Sequence, residues 1–532
     1  MSQHVRSRTP ASIERDRERV LAHYSCAEKD NMKLLDDGDV RATTEYIFPN
    51  QKEDAHQIVT QFQNPHVRAL SITKLTKIGM DGLMIEIAKL ISTHPDDTFV
   101  LPPENVLFIT GMSSTDWERN FKAKIPRCFV NNVHHHGQLQ NIRHKLQGIR
   151  DAVIIIDEID CGDKEGQKLH NLLKDSGILD IDYMDEHNIR FIFVSATIAK
   201  QLKVLESWGS RHVSFKMSVP PSYIGHATFL ERGIIQEYYP VNTIEAAQRW
   251  IREDIMGRYG NDYRVHFIRI VDKNKHLLET ACRDANVDCL YHTSYDRISD
   301  DDMEHLFAPH RSKHTVVMVK GLMRRANLIP NAWKMQIGAM HEHYVNKCDT
   351  SVAVQGFPGR MSGYWRDKIE GGHITGPYRT SIRAMREYLT FYEQTGTEYT
   401  TNEARSFVET RNIRNLVPVG EQETSARSSH EVHCETFDTQ EEMRAYFVNV
   451  VKPRMNARCR GPKRMEPNAD GWYEFGERSR RRVYSYNDIM LIANTQHTLG
   501  PRGTNTHQYR CYACYVDVTV QDTVKFVIKH YA

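Results

Sequence analysis

The run VIIIDEID at residues 153–160 determines how the rest of the chain is interpreted. Branched apolar residues are followed directly by two carboxylates, Asp157 and Glu158. Such a run favours a strand that is buried on both faces, as in a parallel sheet covered by helices. Similar runs lie on either side of it, namely VRALSI (67–72), VLFIT (106–110) and FIFVS (191–195). The pattern predicts an α/β lobe over about residues 46–215.

A second block of the same kind follows, and it predicts another parallel-sheet lobe over about residues 216–415. Its expected strands are RVHFIRIV (264–271), DCLY (288–291) and HTVVMVK (314–320). The other segments are predicted as an N-terminal arm at 1–45, a polar linker at 416–435 and a small α+β domain at 436–532. The expected fold class is therefore α/β, with two tandem lobes and a small C-terminal domain.

Composition narrows the classes of function. The formal net charge is +2, so a nucleic-acid surface would have to be a local basic patch and not a global field. The apolar runs have the length of strands and are too short to cross a membrane, so no membrane partner is expected. The 10 cysteines are scattered, which is typical of reduced thiols in a cytoplasmic compartment.

The acidic pair after the central strand suits the chemistry of nucleotide hydrolysis. At such a position the first carboxylate, Asp157, would hold Mg²⁺, which bridges the phosphates. The second carboxylate, Glu158, would orient and deprotonate the attacking water. The alternative is an ordinary strand end with two solvated acids.

Two further motifs follow the acidic pair in the chain. The next buried run ends in VSAT at 194–197, and the second block contains VAVQGFPGRMSGYW at 352–365. In this order the three motifs resemble those of superfamily 2 helicases of the DEAD/DEAH-like type. The Gly363–Tyr364 pair after the arginine resembles helicases of phages and large DNA viruses.

This resemblance implies two RecA-like lobes that bind ATP and Mg²⁺ between them and act on DNA or RNA. Ser195 and Thr197 would couple the ATP site to the second lobe, and Gln355 would line the interface between the lobes. Arg360 would be an arginine finger that meets the γ-phosphate bidentately; the alternative for Arg360 is a surface arginine. For a viral protein, the expected location is the host cytoplasm or the virion; the resemblance does not indicate protein partners.

Other segments resemble the weaker helicase motifs. VLFITGMSSTDWERN (106–120) resembles motif Ia, and VVMVKGLMRRANLIP (316–330) resembles motif V. The residues expected to contact nucleic acid are Ser113, Ser114, Thr115, Trp117 and Lys320. Trp117 could stack on a base or simply pack. Gly321, after Lys320, is expected near the nucleotide.

The segment FPNQKEDAHQIV (48–59) resembles the part of a helicase that precedes the first lobe, where Gln51 would read adenine. The phosphate loop that should follow the first strand departs from the Gly-Lys-Ser/Thr pattern. It reads TKLTKIGMDG (73–82), and alignment on Gly79 puts Met80 at the lysine position and Asp81 at the hydroxyl position.

Two interpretations of this loop remain open. Either Lys77 or Lys74 restores the missing charge and a slow or unusual ATPase survives, or the chain is a helicase-fold protein that binds nucleic acid as a scaffold without hydrolysis. A third possibility is a double-strand translocase that separates no strands. The sequence therefore predicts an ATP-dependent helicase or translocase, and leaves turnover open.

The C-terminal segment carries basic clusters at 452–464 and 478–482, with aromatic residues between them. These clusters suit phosphate contact and base stacking, or they are solvated loops. Cys511 and Cys514 form a CxxC pair that is expected on a strand with half-buried thiols. The alternative is a zinc site completed by Cys434 and Cys459.

Overall fold

A computed structural model describes most of the chain. The described residues are 8–37, 43–112, 115–159, 168–178, 180–196, 206–293, 296–307, 311–323, 329–346, 348–366, 371, 375–394, 432–454, 461–462, 464–477, 480–486, 489–490 and 509–531. The chain divides into two compact units, residues 1–420 and 421–532. Both predicted α/β lobes lie in the first unit.

The first lobe is built on a six-stranded sheet with the order β3-β2-β4-β5-β1-β6, in which all neighbouring strands are parallel. Its strands are β1 Ala69–Thr73, β2 Val106–Thr110, β3 Val133–His134, β4 Ala152–Asp157, β5 Ile189–Ser195 and β6 His212–Lys216. The central strand β4 explains the apolar run of the sequence. Ile154 and Ile156 pack in one hydrophobic cluster, whereas Val153 and Ile155 pack in another on the opposite face.

Helices cover both faces of this sheet. The α-helices of the first lobe are Pro10–Asp36, Pro49–Gln63, Met80–Ser92, Thr115–Lys122, Arg143–Gln147, Lys168–Ser176 and Ile181–His187. Single 3₁₀ turns lie at Pro103–Asn105, Arg127–Asn132, Leu139–Ile142 and Glu206–Arg211. The predicted N-terminal arm is largely the first of these helices. It packs on the lobe through buried Val20 and through Tyr24, whose hydroxyl donates to Glu86 Oε2 at 2.8 Å.

The second lobe has a six-stranded parallel sheet with the order β10-β11-β9-β12-β14-β8, and β7 pairs with β13 in an antiparallel ribbon beside it. The strands are β7 Tyr223–Ile224, β8 Ile235–Glu237, β9 Val265–Arg269, β10 Asp288–Thr293, β11 Thr315–Lys320, β12 Ile337–His341, β13 Gly363–Tyr364 and β14 Tyr378–Thr380. The α-helices are His226–Glu231, Ile244–Trp250, Gly257–Tyr259, Lys275–Asp284, Asp300–Leu306, Asn331–Lys334, Thr350–Val354, Phe357–Met361 and Ile382–Gln394. A π-turn at Ile251–Met256 and a 3₁₀ turn at Asp272–Asn274 complete them.

The second unit is a small α+β domain. Its strands are β15 Val432–Phe437, β16 Phe475–Glu477, β17 Arg480–Arg482, β18 Tyr509–Tyr515 and β19 Val524–Tyr531. The antiparallel sheet β15-β19-β18 carries the helix Gln440–Tyr446, a π-turn at Phe447–Val451, and 3₁₀ turns at Lys452–Arg454 and Gln521–Thr523. Strand β15 begins within the stretch that the sequence predicts as a linker.

The CxxC pair lies on β18, and the strand prediction for it is confirmed. Cys511 packs in the hydrophobic cluster on one face of the small sheet, whereas Cys514 packs in the cluster on the other face. Two thiols on opposite faces of a strand cannot share one zinc ion. Cys459 lies outside the described residues, and no cluster of metal-ligating side chains occurs within them.

The predicted fold class, two tandem RecA-like parallel-sheet lobes followed by a small α+β domain, is confirmed by these sheets. None of the helices in the described part of the chain combines the length and the apolar character that crossing a bilayer requires.

Candidate functional site

The acidic pair and the unusual loop meet at one edge of the first sheet. Strand β4 ends at Asp157, β1 ends at Thr73 just before the loop, and β5 lies between them and ends at Ser195. Thr73 is in register with Ser195. Because the strands are parallel, their carboxyl ends lie at the same edge, where ligands of open α/β sheets bind. Ser195 is fully buried there, and Thr197 lies outside the described residues.

The centre of the site is a buried ion cluster. The Lys74 Nζ atom lies 3.2 Å from Asp157 Oδ1 and 3.1 Å from Glu158 Oε1. Burial by itself would lower the pKa of Lys74, but the two carboxylates outweigh it and raise that pKa above its ordinary value. Burial raises the pKa of Asp157 above its ordinary value despite the opposing charge of Lys74. Lys74 is therefore the cation that neutralises the acidic pair.

Trp117 completes the environment of the first carboxylate. Its indole Nε1–H donates to Asp157 Oδ2 at 2.8 Å, and its ring stacks on Phe121 with the centroids 5.6 Å apart. Trp117 is only 7% exposed, so the structure has the packed alternative and not a ring offered to a base. Thr115 is exposed at the start of the same helix, and Ser113 and Ser114 lie outside the described residues.

The loop between β1 and the next helix has an irregular backbone. Lys77 and Gly79 have positive φ angles, 59° and 87°, and the helix begins at buried Met80. Lys77 is half-buried, and burial followed by the charge of Arg360 holds the pKa of Lys77 well below its ordinary value. Asp81 forms an ion pair with Lys124, with 2.8 Å between Oδ2 and Nζ. Burial alone would raise the pKa of Asp81, but Lys124 outweighs it and the pKa lies below its ordinary value.

Gln51 lies directly beneath this loop. Its Nε2 donates to Gly79 O at 2.6 Å, and its Oε1 accepts the Phe48 backbone N–H at 2.9 Å. The side chain is 1% exposed. A Cβ atom at Gly79 or Gly82 would lie within 2.3 Å of the Gln51 amide, so any other residue at either position would displace this side chain. Both ends of the amide are thus engaged by the chain itself, at the residue expected to read adenine.

The second lobe supplies Gln355 and Arg360 to the same place. The Arg360 guanidinium donates from Nη2 to Gln355 Oε1 at 3.0 Å, and Gln355 Nε2 donates to Glu158 Oε2 at 3.5 Å. Arg360 is 1% exposed, so the surface-arginine alternative is wrong. A polar path therefore runs from Lys74 through Glu158 and Gln355 to Arg360, across the boundary between the lobes.

A buried ion pair that the sequence does not predict, Arg269–Glu342, lies at the start of the helix that carries Arg360. Arg269 Nε lies 2.6 Å from Glu342 Oε2, and Glu342 Oε1 accepts the Phe357 backbone N–H at 2.7 Å. Arg269 Nη1 also donates to Leu322 O at 2.9 Å, in the segment after β11. This buried pair joins the start of the helix Phe357–Met361 to the segment after β11. A weak signal existed in the sequence, because Glu342 follows the largely apolar strand β12 and is separated from Met340 only by His341.

Lys334 is a second residue that sequence patterns miss. It is 4% exposed, and its ammonium donates to Ser362 O at 2.7 Å. Burial and then the charge of Arg360 lower the pKa of Lys334 to about 7. Nothing in the local sequence distinguishes this lysine from a solvated one.

Lys320 and Gly321, which the sequence predicts to contact nucleic acid and nucleotide, lie at the end of β11. Lys320 forms an ion pair with Asp272, with 2.6 Å between the charged atoms, and it is only half-buried. Gly321 is exposed and has a φ of 77°, a conformation that favours glycine. Arg324 and Arg325 lie outside the described residues.

No protein-family model and no curated protein matches the chain. Several solved structures are similar to it. They include S. cerevisiae Dbp5 bound to RNA and ADP BeF3, at 12% identity over 65% of this chain and 91% of that one, with a TM-score of 0.35. The DEAD-box helicase Mss116 bound to ssRNA and UDP-BeF matches at 14% identity over 63% and 69%, with a TM-score of 0.30. A DEAD box protein from the hyperthermophile Methanococcus jannaschii matches at 13% identity over 64% and 90%, with a TM-score of 0.33.

Proposed function

We propose that the first unit is an ATP-dependent motor of the superfamily 2 helicase type, which binds ATP between its two lobes and moves on nucleic acid. The observation that carries this proposal is the polar path from Lys74 through Glu158 and Gln355 to Arg360. A hydrolytic site at a lobe interface requires an acidic pair on one side and an arginine on the other. Here the acidic pair and Arg360 are buried, and Gln355 links Glu158 to Arg360 by hydrogen bonds.

The donor set fits a magnesium ion. Asp157 and Glu158 supply carboxylate oxygens, which are the ligands that Mg²⁺ prefers, and Asp157 would hold it. The ammonium of Lys74 now satisfies both carboxylates, so Lys74 must move toward the phosphates as the ion binds. Bound Mg²⁺ would neutralise charge on the phosphates.

Each remaining residue then has a defined task. Glu158 orients the attacking water and accepts its proton, and Gln355 keeps Glu158 in line with the second lobe. Arg360 meets charge that develops on the γ-phosphate. Lys74 is the better substitute for the missing loop lysine, because its pKa is raised, whereas that of Lys77 is lowered by burial and by Arg360.

Nucleic acid, either DNA or RNA, would bind along the carboxyl edges of the two sheets. Thr115, which follows β2 in the first lobe, and Lys320, at the end of β11 in the second, are both at least partly exposed there. Hydroxyl and ammonium groups of this kind suit backbone phosphates, which give affinity without reading sequence.

A second candidate is a helicase-fold protein that binds nucleic acid as a scaffold and does not hydrolyse ATP. The observations that favour it are that the chain's own Lys74 neutralises the acidic pair and that Met80 and Asp81 replace the usual loop residues. A double-strand translocase would have the same site and differ only in separating no strands.

Titration calorimetry with a non-hydrolysable ATP analogue and Mg²⁺ distinguishes the candidates, followed by ATPase assays with single-stranded DNA and RNA. The motor predicts binding by wild type that Lys74→Met abolishes and Lys77→Met weakens less. Binding that is lost only in Lys77→Met would reverse the two lysine roles. An absence of binding in wild type, with nucleic acid still bound, would establish the scaffold. A strand-displacement assay then separates a helicase from a double-strand translocase.

A further inference from the structure

Three tyrosines of the second lobe hold the backbone of the phosphate loop. The hydroxyl of Tyr388 donates to the carbonyl oxygen of Lys74 at 3.3 Å. Tyr223 donates to Thr76 O at 2.6 Å, and Tyr364 donates to Ile78 O at 2.7 Å. The three acceptors are alternate residues of the loop. This regular spacing makes the second lobe a continuous hydrogen-bonding surface for the segment 74–78.

The tyrosines come from separate elements that meet at the loop. Tyr223 and Tyr364 are paired across the β7–β13 ribbon, and Tyr388 lies in the helix Ile382–Gln394. Two side-chain contacts reinforce the hold. Thr76 Oγ1 donates to Ser362 Oγ at 3.1 Å, and the Tyr364 ring stacks on Phe48 with the centroids 4.5 Å apart and an interplanar angle of 15°.

The loop needs such support because of its sequence. A standard phosphate loop takes its shape from glycines, which adopt positive φ angles without strain. Residues 74–78 read KLTKI and contain no glycine, yet Lys77 has a φ of 59°. A non-glycine residue adopts this conformation only where its surroundings hold it there.

We propose that Tyr223, Tyr364 and Tyr388 are positioning residues that give the phosphate loop its shape from the opposite lobe. The loop is therefore complete only while the lobes are together, and nucleotide affinity depends on hydroxyls that touch no nucleotide. This inference rests on the proposed nucleotide site, but the shape of the loop can be measured without nucleotide.

The test replaces each tyrosine by phenylalanine in the full-length chain, which removes the hydroxyl and keeps the ring. The matched control is Tyr392→Phe, because the Tyr392 hydroxyl lies in the same helix as Tyr388 and donates to Met217 O at 2.8 Å, outside the loop. Three quantities are compared: amide hydrogen exchange of residues 74–79 without nucleotide, the Kd of a non-hydrolysable ATP analogue, and the Tm.

We expect faster loop exchange in Tyr223→Phe, Tyr364→Phe and Tyr388→Phe, and a Kd weakened roughly five- to tenfold by each, as for the loss of one buried hydrogen bond. Tyr392→Phe should lower the Tm without changing loop exchange or Kd. Equal effects of the control on exchange and Kd would overturn the proposal, as would unchanged exchange in all three variants. If wild type binds no analogue, the nucleotide site fails, while loop exchange still decides whether the tyrosines shape the loop.

Discussion

Replacement of Lys74 by methionine should destabilise the first unit more than any other single charge removal at the loop. Lys74, Asp157 and Glu158 are 8%, 4% and 7% exposed, so the substitution leaves two adjacent buried carboxylates without their cation. Breaking a buried pair by removing one partner costs about 3–5 kcal/mol in free energy of unfolding. The side chains are of similar length, so little of this loss comes from packing.

Lys74→Met should also make the free energy of unfolding depend on pH. With Lys74 gone, one carboxyl of the pair should take up a proton, and the deficit should shrink by up to about 1.4 kcal/mol per pH unit as the pH falls below the raised pKa. Adding Asp157→Asn to Lys74→Met should restore part of the loss in a double-mutant cycle. The control is Lys124→Met, because the Lys124–Asp81 pair is partly exposed and its loss should cost about 1 kcal/mol or less.

The assay is urea denaturation followed by tryptophan fluorescence at pH 8.0 and at about pH 5.5, with the free energy taken from the midpoint at constant slope. If Lys74→Met costs no more free energy of unfolding than Lys124→Met, or if its deficit is the same at both pH values, Lys74 does not neutralise the acidic pair.

Three other sites give expected outcomes. Glu158→Gln should abolish ATP turnover and retain binding of the ATP analogue. Arg360→Lys should lower kcat by ~10³-fold, because a lysine cannot contact the phosphate bidentately. Near-normal turnover by either variant in a steady-state ATPase assay would contradict the role assigned to that residue. Both ends of the Gln51 amide are engaged by backbone, so Gln51 should not select the base. The affinities for ATP, GTP and CTP, measured by competition, should agree within roughly tenfold, whereas a site that hydrogen-bonds its base prefers it by ~10⁴-fold. A strong preference for adenine would contradict this prediction. Burial and then the charge of Arg360 lower the pKa of Lys334 to about 7, below that of an unfolded lysine. The free energy of unfolding should therefore rise from pH 7 to 9 by up to about 1.4 kcal/mol per pH unit. Lys334→Met should remove this pH dependence, and denaturation curves with an unchanged pH dependence would argue against a neutral lysine.

The sequence by itself determined four strands of the first sheet and three of the second, namely β1, β2, β4, β5, β9, β10 and β11, and the place of the acidic pair at the end of β4. A strand buried on both faces needs apolar residues at consecutive positions, and residues Val153 to Ile156 are all apolar and pack alternately on the two faces. The polar residue after such a strand has to lie at the sheet edge, which is why Asp157 could be assigned to the site from its place in the chain. The Gly-Arg pair at Gly359 and Arg360 was similarly recognisable as a motif.

Only the tertiary structure decided which side chains meet there. The sequence offers either Lys77 or Lys74 as the substitute lysine, and only the path of the loop brings Lys74 onto Asp157 and places Lys77 under the influence of the charge of Arg360. Trp117 turned inward to Asp157, and Gln51 turned toward the backbone of Gly79. The physical reason is sequence separation. The burial of a strand can be predicted from neighbouring residues. These contacts, in contrast, join residues far apart in the chain, and their partners depend on the course of all the segments between them.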